Sequence, residues 1–156
     1  MVLKLSQQQI EAIRHHGAQE YPNECCGVLL GHAEGKQVME VIPLKNLRKE
    51  PEKAQELLPL NSLESESERN RFLIDPPEQL RVVKDARARG LDVLGYYHSH
   101  PDHPARPSSY DRELAWPSYS YVILSVRRGE PQEMTSWVLT DDGSRFDQEQ
   151  VMSAKG

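Results

Sequence analysis

Residues 71 to 100, RFLIDPPEQLRVVKDARARGLDVLGYYHSH, read as strand, helix and strand, and no other feature constrains the fold as much. RFLID is a short apolar run, and the next segment places Leu80, Val83 and Ala86 on one helical face before a terminating Gly90. Val93, Leu94 and Tyr96 then suit a buried strand. Its last residues carry two histidines and emerge at the C-terminal edge of a sheet, where α/β proteins place their sites. At 156 residues the chain fits a single domain spanning 1–156.

The flanking segments fit the same class. Ser6 is placed to cap a helix over QQQIEAIRHHGAQEY, with Ile10 and Ile13 on one face. CCGVLLGHA (25 to 33) and VMEVIPL (38 to 44) are separated by EGK and predict a hairpin. Residues 46–70 hold many charges, two prolines and few large apolar side chains, which predicts a mobile surface insertion. SSYDRELAW reads as a helix start with Ser108 as its cap. YSYVILSV and TSWVLT read as two further strands joined by RRGEPQE, and 141–156 as a C-terminal tail.

Composition narrows the function. The longest apolar runs fall far short of the ~20 residues a membrane span needs, and the N-terminus lacks the pattern of a secretory signal, so a cytoplasmic protein without membrane partners is expected. A net charge of −5, with ARARG as the one basic cluster, argues against a nucleic-acid partner. Cys25 and Cys26 are adjacent, a poor geometry for a disulfide, and are expected as thiols. Thiolate is a good zinc ligand in principle, but a small buried apolar role at a strand start fits at least one of them better.

The segment YYHSHPDHPARPSSYDRELA gathers three of the six histidines. His98 and His100 are one residue apart, so on an extended strand they project from the same face and can converge on one ion. Imidazole is a common zinc ligand, and Asp102, His103 or Asp111 could supply a third. HSHPDH also looks like the HxHxDH signature of metallo-β-lactamase-type hydrolases, but no histidine follows His103. The HxE and PCxxC pair of zinc deaminases is absent, as is HExxH. What remains is His98-x-His100-Pro101, six residues, then Ser108-x-x-Asp111.

That pattern resembles the JAMM (MPN-plus) metalloprotease motif, whose catalytic glutamate lies upstream in a context similar to YPNECCGVLLG, the place of Glu24. The likeness runs from about Leu3 to Leu139 and suits the compact prokaryotic branch. It implies an α/β fold related to the cytidine-deaminase-like architecture, a central mixed β-sheet flanked by helices. It implies Zn²⁺ held by His98, His100 and Asp111, Glu24 as general base, and Ser108 as hydrogen-bond donor to the oxyanion. Asp102 and His103 are expected as exposed loop residues, and Trp116 and Trp137 as packing residues.

The implied reaction is hydrolysis of a peptide or isopeptide bond after the Gly-Gly end of a ubiquitin-like β-grasp or sulfur-carrier protein. Such a tail would bind extended beside the zinc. A different class is a non-catalytic MPN scaffold that binds partners, though scaffolds typically lose one or more of these residues. The sequence leaves a homodimer, the carrier and the leaving group open.

Overall fold

A computed structural model describes residues 2–46, 74–108, 111 and 115–154. In chain order the elements are β1 (Val2–Ser6), α1 (Gln7–Glu20), β2 (Cys26–His32), β3 (Gln37–Leu44), α2 (Pro76–Ala88), β4 (Asp92–Pro101), β5 (Ser120–Arg127), β6 (Glu130–Leu139) and β7 (Phe146–Ala154). The seven strands form one mixed sheet in the order β1-β3-β2-β4-β5-β6-β7, which closes on itself because β7 pairs in parallel with β1. An α/β fold with a mixed sheet and flanking helices is therefore present, curled into a barrel.

Local chemistry explains the elements. Ser6 caps α1 through a capping box, its Oγ accepting the Gln9 N–H at 3.1 Å while the Gln9 side chain accepts the Ser6 N–H at 2.8 Å. Gly17 lets this helix approach β5, since a Cβ there would stand 2.6 Å from Leu124 Cδ2. Strand β2 is buried on both faces, which accounts for its unbroken apolar run. Leu29 and Cys25 join Leu3, Leu5, Ile13, Leu124 and Val126 on the α1 side, whereas Cys26, Val28 and Leu30 pack with Leu44 and Ala86 toward α2. Tyr97 of β4 lies directly across from Gly27, and its ring occupies the space a Cβ would need.

Several expectations change. Residues Phe146–Ala154 are strand β7, not a tail, and pair with both β1 and β6. Strand β1 itself carries only two buried leucines and precedes the helix directly. On α2 the inward face is Gln79, Val82, Val83 and Ala86, while Leu80 is 53% exposed. The β5–β6 turn is only Arg128-Gly129, both at positive φ, so β6 starts at Glu130. Of the expected insertion at 46–70, residues 47–70 lie outside the described residues. Asn46 itself is buried and bridges Ile74, the one described residue of the apolar part of RFLID.

The most buried position of β7 is Glu149, whose Oε2 accepts from Lys36 Nζ at 2.6 Å and whose Oε1 accepts from Ser136 Oγ at 2.7 Å. Burial alone would raise this carboxyl's pKa, but Lys36, Ser120 and Ser136 outweigh it and hold it below its ordinary value. Lys36→Met strands the carboxylate and is expected to cost about 3 kcal/mol in urea unfolding. A folded-state pKa below the unfolded value of about 4.3 means the contribution is present above that pH and fades as pH falls. The acid limb of a stability profile should therefore flatten in the variant.

Candidate metal centre

The site is built where β4 ends between β2 and β5. Cys26 pairs with His98, and Ser99 accepts the Cys25 N–H at 2.8 Å while donating its own N–H to the Cys25 carbonyl at 3.2 Å. Glu24 lies two residues ahead of Cys26, where β2 starts. Because side chains alternate along a strand, Cys26, His98 and His100 share the face toward α2, and Tyr97 and Ser99 share the other with Cys25. Glu24 is 2% exposed. Its carbonyl accepts from the Asn46 side chain at 2.9 Å, which fixes the chain just ahead of β2.

Ser108 and Asp111 bring the third group in. The Ser108 N–H donates to Asp111 Oδ2 at 2.8 Å, and the Asp111 N–H donates to Ser108 Oγ at 3.0 Å. This reciprocal pair has the form of a capping box, so the serine-to-aspartate spacing of three is also the spacing that starts a helical turn. With its Oγ accepting from the backbone, the exposed Ser108 hydroxyl keeps its proton for another acceptor.

Three groups converge. His98 Nε2 lies 3.2 Å from His100 Nε2, 3.1 Å separates His98 Nε2 from Asp111 Oδ1, and 3.1 Å separates His100 Nε2 from Asp111 Oδ2. Among the described residues this is the one cluster of three or more metal-capable side chains whose ligand atoms lie together, all within 4.8 Å of one another. Ligands about 2.0–2.1 Å from a tetrahedral zinc stand roughly 3.3 Å apart, so the spacing fits. His100 Nδ1 faces the Pro104 carbonyl at 2.9 Å, which places the ring proton there and leaves the Nε2 lone pair for a cation. Burial would raise the Asp111 pKa, but His98 and His100 hold it well below the usual carboxylate range.

The other candidates are accounted for. Asp102 accepts from Tyr21 OH at 2.6 Å and from the Arg128 N–H at 2.9 Å, tying α1 to the β5–β6 turn. That engagement removes the aspartate a metallo-β-lactamase-type centre would use. His103 is exposed and stands outside the cluster. Burial pushes the Cys25 thiol up to about 12 and raises Cys26 well above its ordinary value, so both are neutral, buried packing groups. Trp116 is 69% exposed, contrary to the packing role expected for it. Asn46, placed in the insertion from sequence, is the residue near the site that sequence reasoning missed. A lone asparagine after a strand carries no motif.

Known proteins resemble this chain over most of its length. Residues 6–140 match the family of prokaryotic homologues of the JAB domain. A desampylase of Haloferax volcanii is 35% identical over 113 residues, covering 72% of this chain and 69% of that protein. A probable TtuB-protein conjugate cleaving protease of Thermus thermophilus is 33% identical, covering 81% and 72%. A CysO-cysteine peptidase of Mycobacterium bovis is 27% identical, covering 90% and 84%. Among solved structures, a Desulfitobacterium hafniense protein superposes with a TM-score of 0.75 at 36% identity, covering 100% of this chain and 94% of that one. A JAB1/MPN domain protein of Archaeoglobus fulgidus shares the fold, with a TM-score of 0.55 at 18% identity.

Proposed function

The chain belongs to the prokaryotic JAB-domain branch of the JAMM/MPN family, and from that premise we propose that it is a zinc-dependent peptidase or isopeptidase. Its substrate is a ubiquitin-like or sulfur-carrier protein cut after the Gly-Gly end. The observation that carries the reading is the convergence of His98, His100 and Asp111 on one point, with Glu24 buried just ahead of β2. The names of the relatives, as a desampylase, a conjugate-cleaving protease and a peptidase, support the substrate class.

His98, His100 and Asp111 would hold the metal, two neutral nitrogens and one anionic oxygen being a donor set suited to zinc. Bound zinc supplies Lewis acidity and lowers the pKa of a coordinated water to about 7. Glu24 takes the proton released as the acyl carbon is attacked and returns it to the departing amine. Ser108 donates its hydroxyl proton as a hydrogen bond to the oxygen that gains charge, an interaction that strengthens toward the transition state.

The role of Ser108 is separable from its cap. Ser108→Ala is expected to lower kcat by about 10²- to 10³-fold, while the lost cap costs only ~1 kcal/mol of stability. Steady-state kinetics beside a thermal melt measure the two. The proposal as a whole is tested by incubating zinc-loaded protein with a β-grasp carrier extended beyond Gly-Gly and weighing the products. Uptake of zinc without cleavage of any such carrier would favour a partner-binding scaffold.

A further inference from the structure

One groove beside the metal centre is not used by the chemistry above, apart from Ser108 at its wall. It is an open groove of about 440 Å³, and Ser108 forms part of its wall together with Arg106, Trp137, Ser144, Arg145 and Phe146. Ser108 also donates its N–H to Asp111, so the groove starts one hydrogen bond from the ligand cluster. Among the described residues its lining contains two arginines and no carboxylate, on a chain whose net charge is −5.

Both arginines sit on organised backbone. Trp137 Nε1 donates to Thr135 Oγ1 at 2.8 Å, and Thr135 Oγ1 donates to the Ala105 carbonyl at 2.7 Å, which fixes the chain next to Arg106. Arg145 closes the β6–β7 turn, where the Thr140 N–H donates to the Arg145 carbonyl at 2.9 Å. The nearby Asp142 is occupied within that turn by Thr140 and Ser144. Arg145 Nε meets Asp147 at 3.2 Å, and the rest of its guanidinium fork carries further donors.

We infer that this groove receives the part of the substrate that departs on cleavage and reads its free α-carboxylate through Arg106 and Arg145. The inference rests on the hydrolase reading and narrows it. Before hydrolysis the carrier half ends in an acyl carbon and has no carboxylate at the scissile bond. The departing half carries one close by only if it is a single amino acid or a short peptide. A lysine side chain within a folded protein brings none. The arginine fork is the group suited to a carboxylate, and charge-assisted hydrogen bonds to it are among the stronger ones. The enzyme would thus trim short C-terminal extensions in preference to isopeptide conjugates.

The test uses binding, so that it does not depend on turnover. Acetyl-Gly-Gly-Ala as the free acid and as the carboxamide would be titrated into zinc-loaded Glu24→Gln protein and into the same protein carrying Arg106→Gln and Arg145→Gln. The acid should bind about tenfold or more tightly than the amide, and the ratio should fall toward one in the arginine variant. Equal binding of acid and amide to the parent would overturn the inference. So would an acid preference that survives loss of both arginines, since the carboxylate would then be held elsewhere. Cleavage of an extended carrier, measured separately on wild type, reports on the hydrolase reading alone.

Discussion

Glu24→Gln is expected to lower kcat by about 10²- to 10⁴-fold, the usual worth of a positioned general acid or base, while the protein keeps its zinc. Glutamine preserves the size of the side chain and its capacity to accept a hydrogen bond but cannot carry the proton. Glu24 is buried just ahead of β2, and it is not one of the three converging groups. Metal uptake and proton transfer therefore separate in this variant. Zinc content by metal analysis and single-turnover cleavage on the same sample measure both. A Glu24→Gln protein that cleaves at the wild-type rate would remove the glutamate from the mechanism.

Asp111→Ala is expected to have the larger effect on the metal. It removes one of the three proposed ligands, so zinc affinity should fall by more than the roughly 10- to 100-fold that outer-sphere partners are worth. Activity should drop to that of chelator-treated protein. The same change deletes the partner of the Ser108 N–H. Asp111→Asn separates these effects, because an amide oxygen still accepts from Ser108 but brings no charge to the histidines. If zinc titration shows Asn close to Ala, the anionic charge is what the metal requires. Wild-type zinc affinity in Asp111→Ala would exclude this triad as the metal centre.

Much of this arrangement was legible in the residues. Alternation along β4 put His98 and His100 on one face, and the geometry has them there with Asp111. The Ser108 to Asp111 spacing is readable because it makes a cap and is also the spacing of the proposed ligand. The helix capped by Ser6 and the β2–β3 hairpin follow from local signals that tertiary packing did not override.

What was not legible has physical causes. Strand β7 hid because its buried position is filled by Glu149, paired with Lys36 from the β2–β3 turn, where an apolar residue would have signalled a strand. Strand β1 is short and merges directly into the α1 cap, so its period-2 pattern has only Leu3 and Leu5 to show it. Barrel closure depends on β1 meeting β7 across almost the whole chain, a contact no local pattern encodes. On α2 Leu80 was misjudged, whereas Ala86 is buried as expected, because i, i+3 spacing fits two adjacent stripes. Val82 and Ala86 pack with residues of β2 and β4, and Gln79 donates to Tyr96 OH at 2.8 Å.

The central claim, that this centre hydrolyses the bond after a carrier's Gly-Gly end, is met most directly by intact-mass measurement of a ubiquitin-like carrier bearing a short extension. The carrier is incubated with zinc-loaded wild type and with Glu24→Gln. The account predicts a product ending at Gly-Gly with wild type, none with Glu24→Gln, and its disappearance and return on chelation and zinc addition. An unchanged carrier mass with fully zinc-loaded wild type, or a product that forms equally with Glu24→Gln, would contradict it.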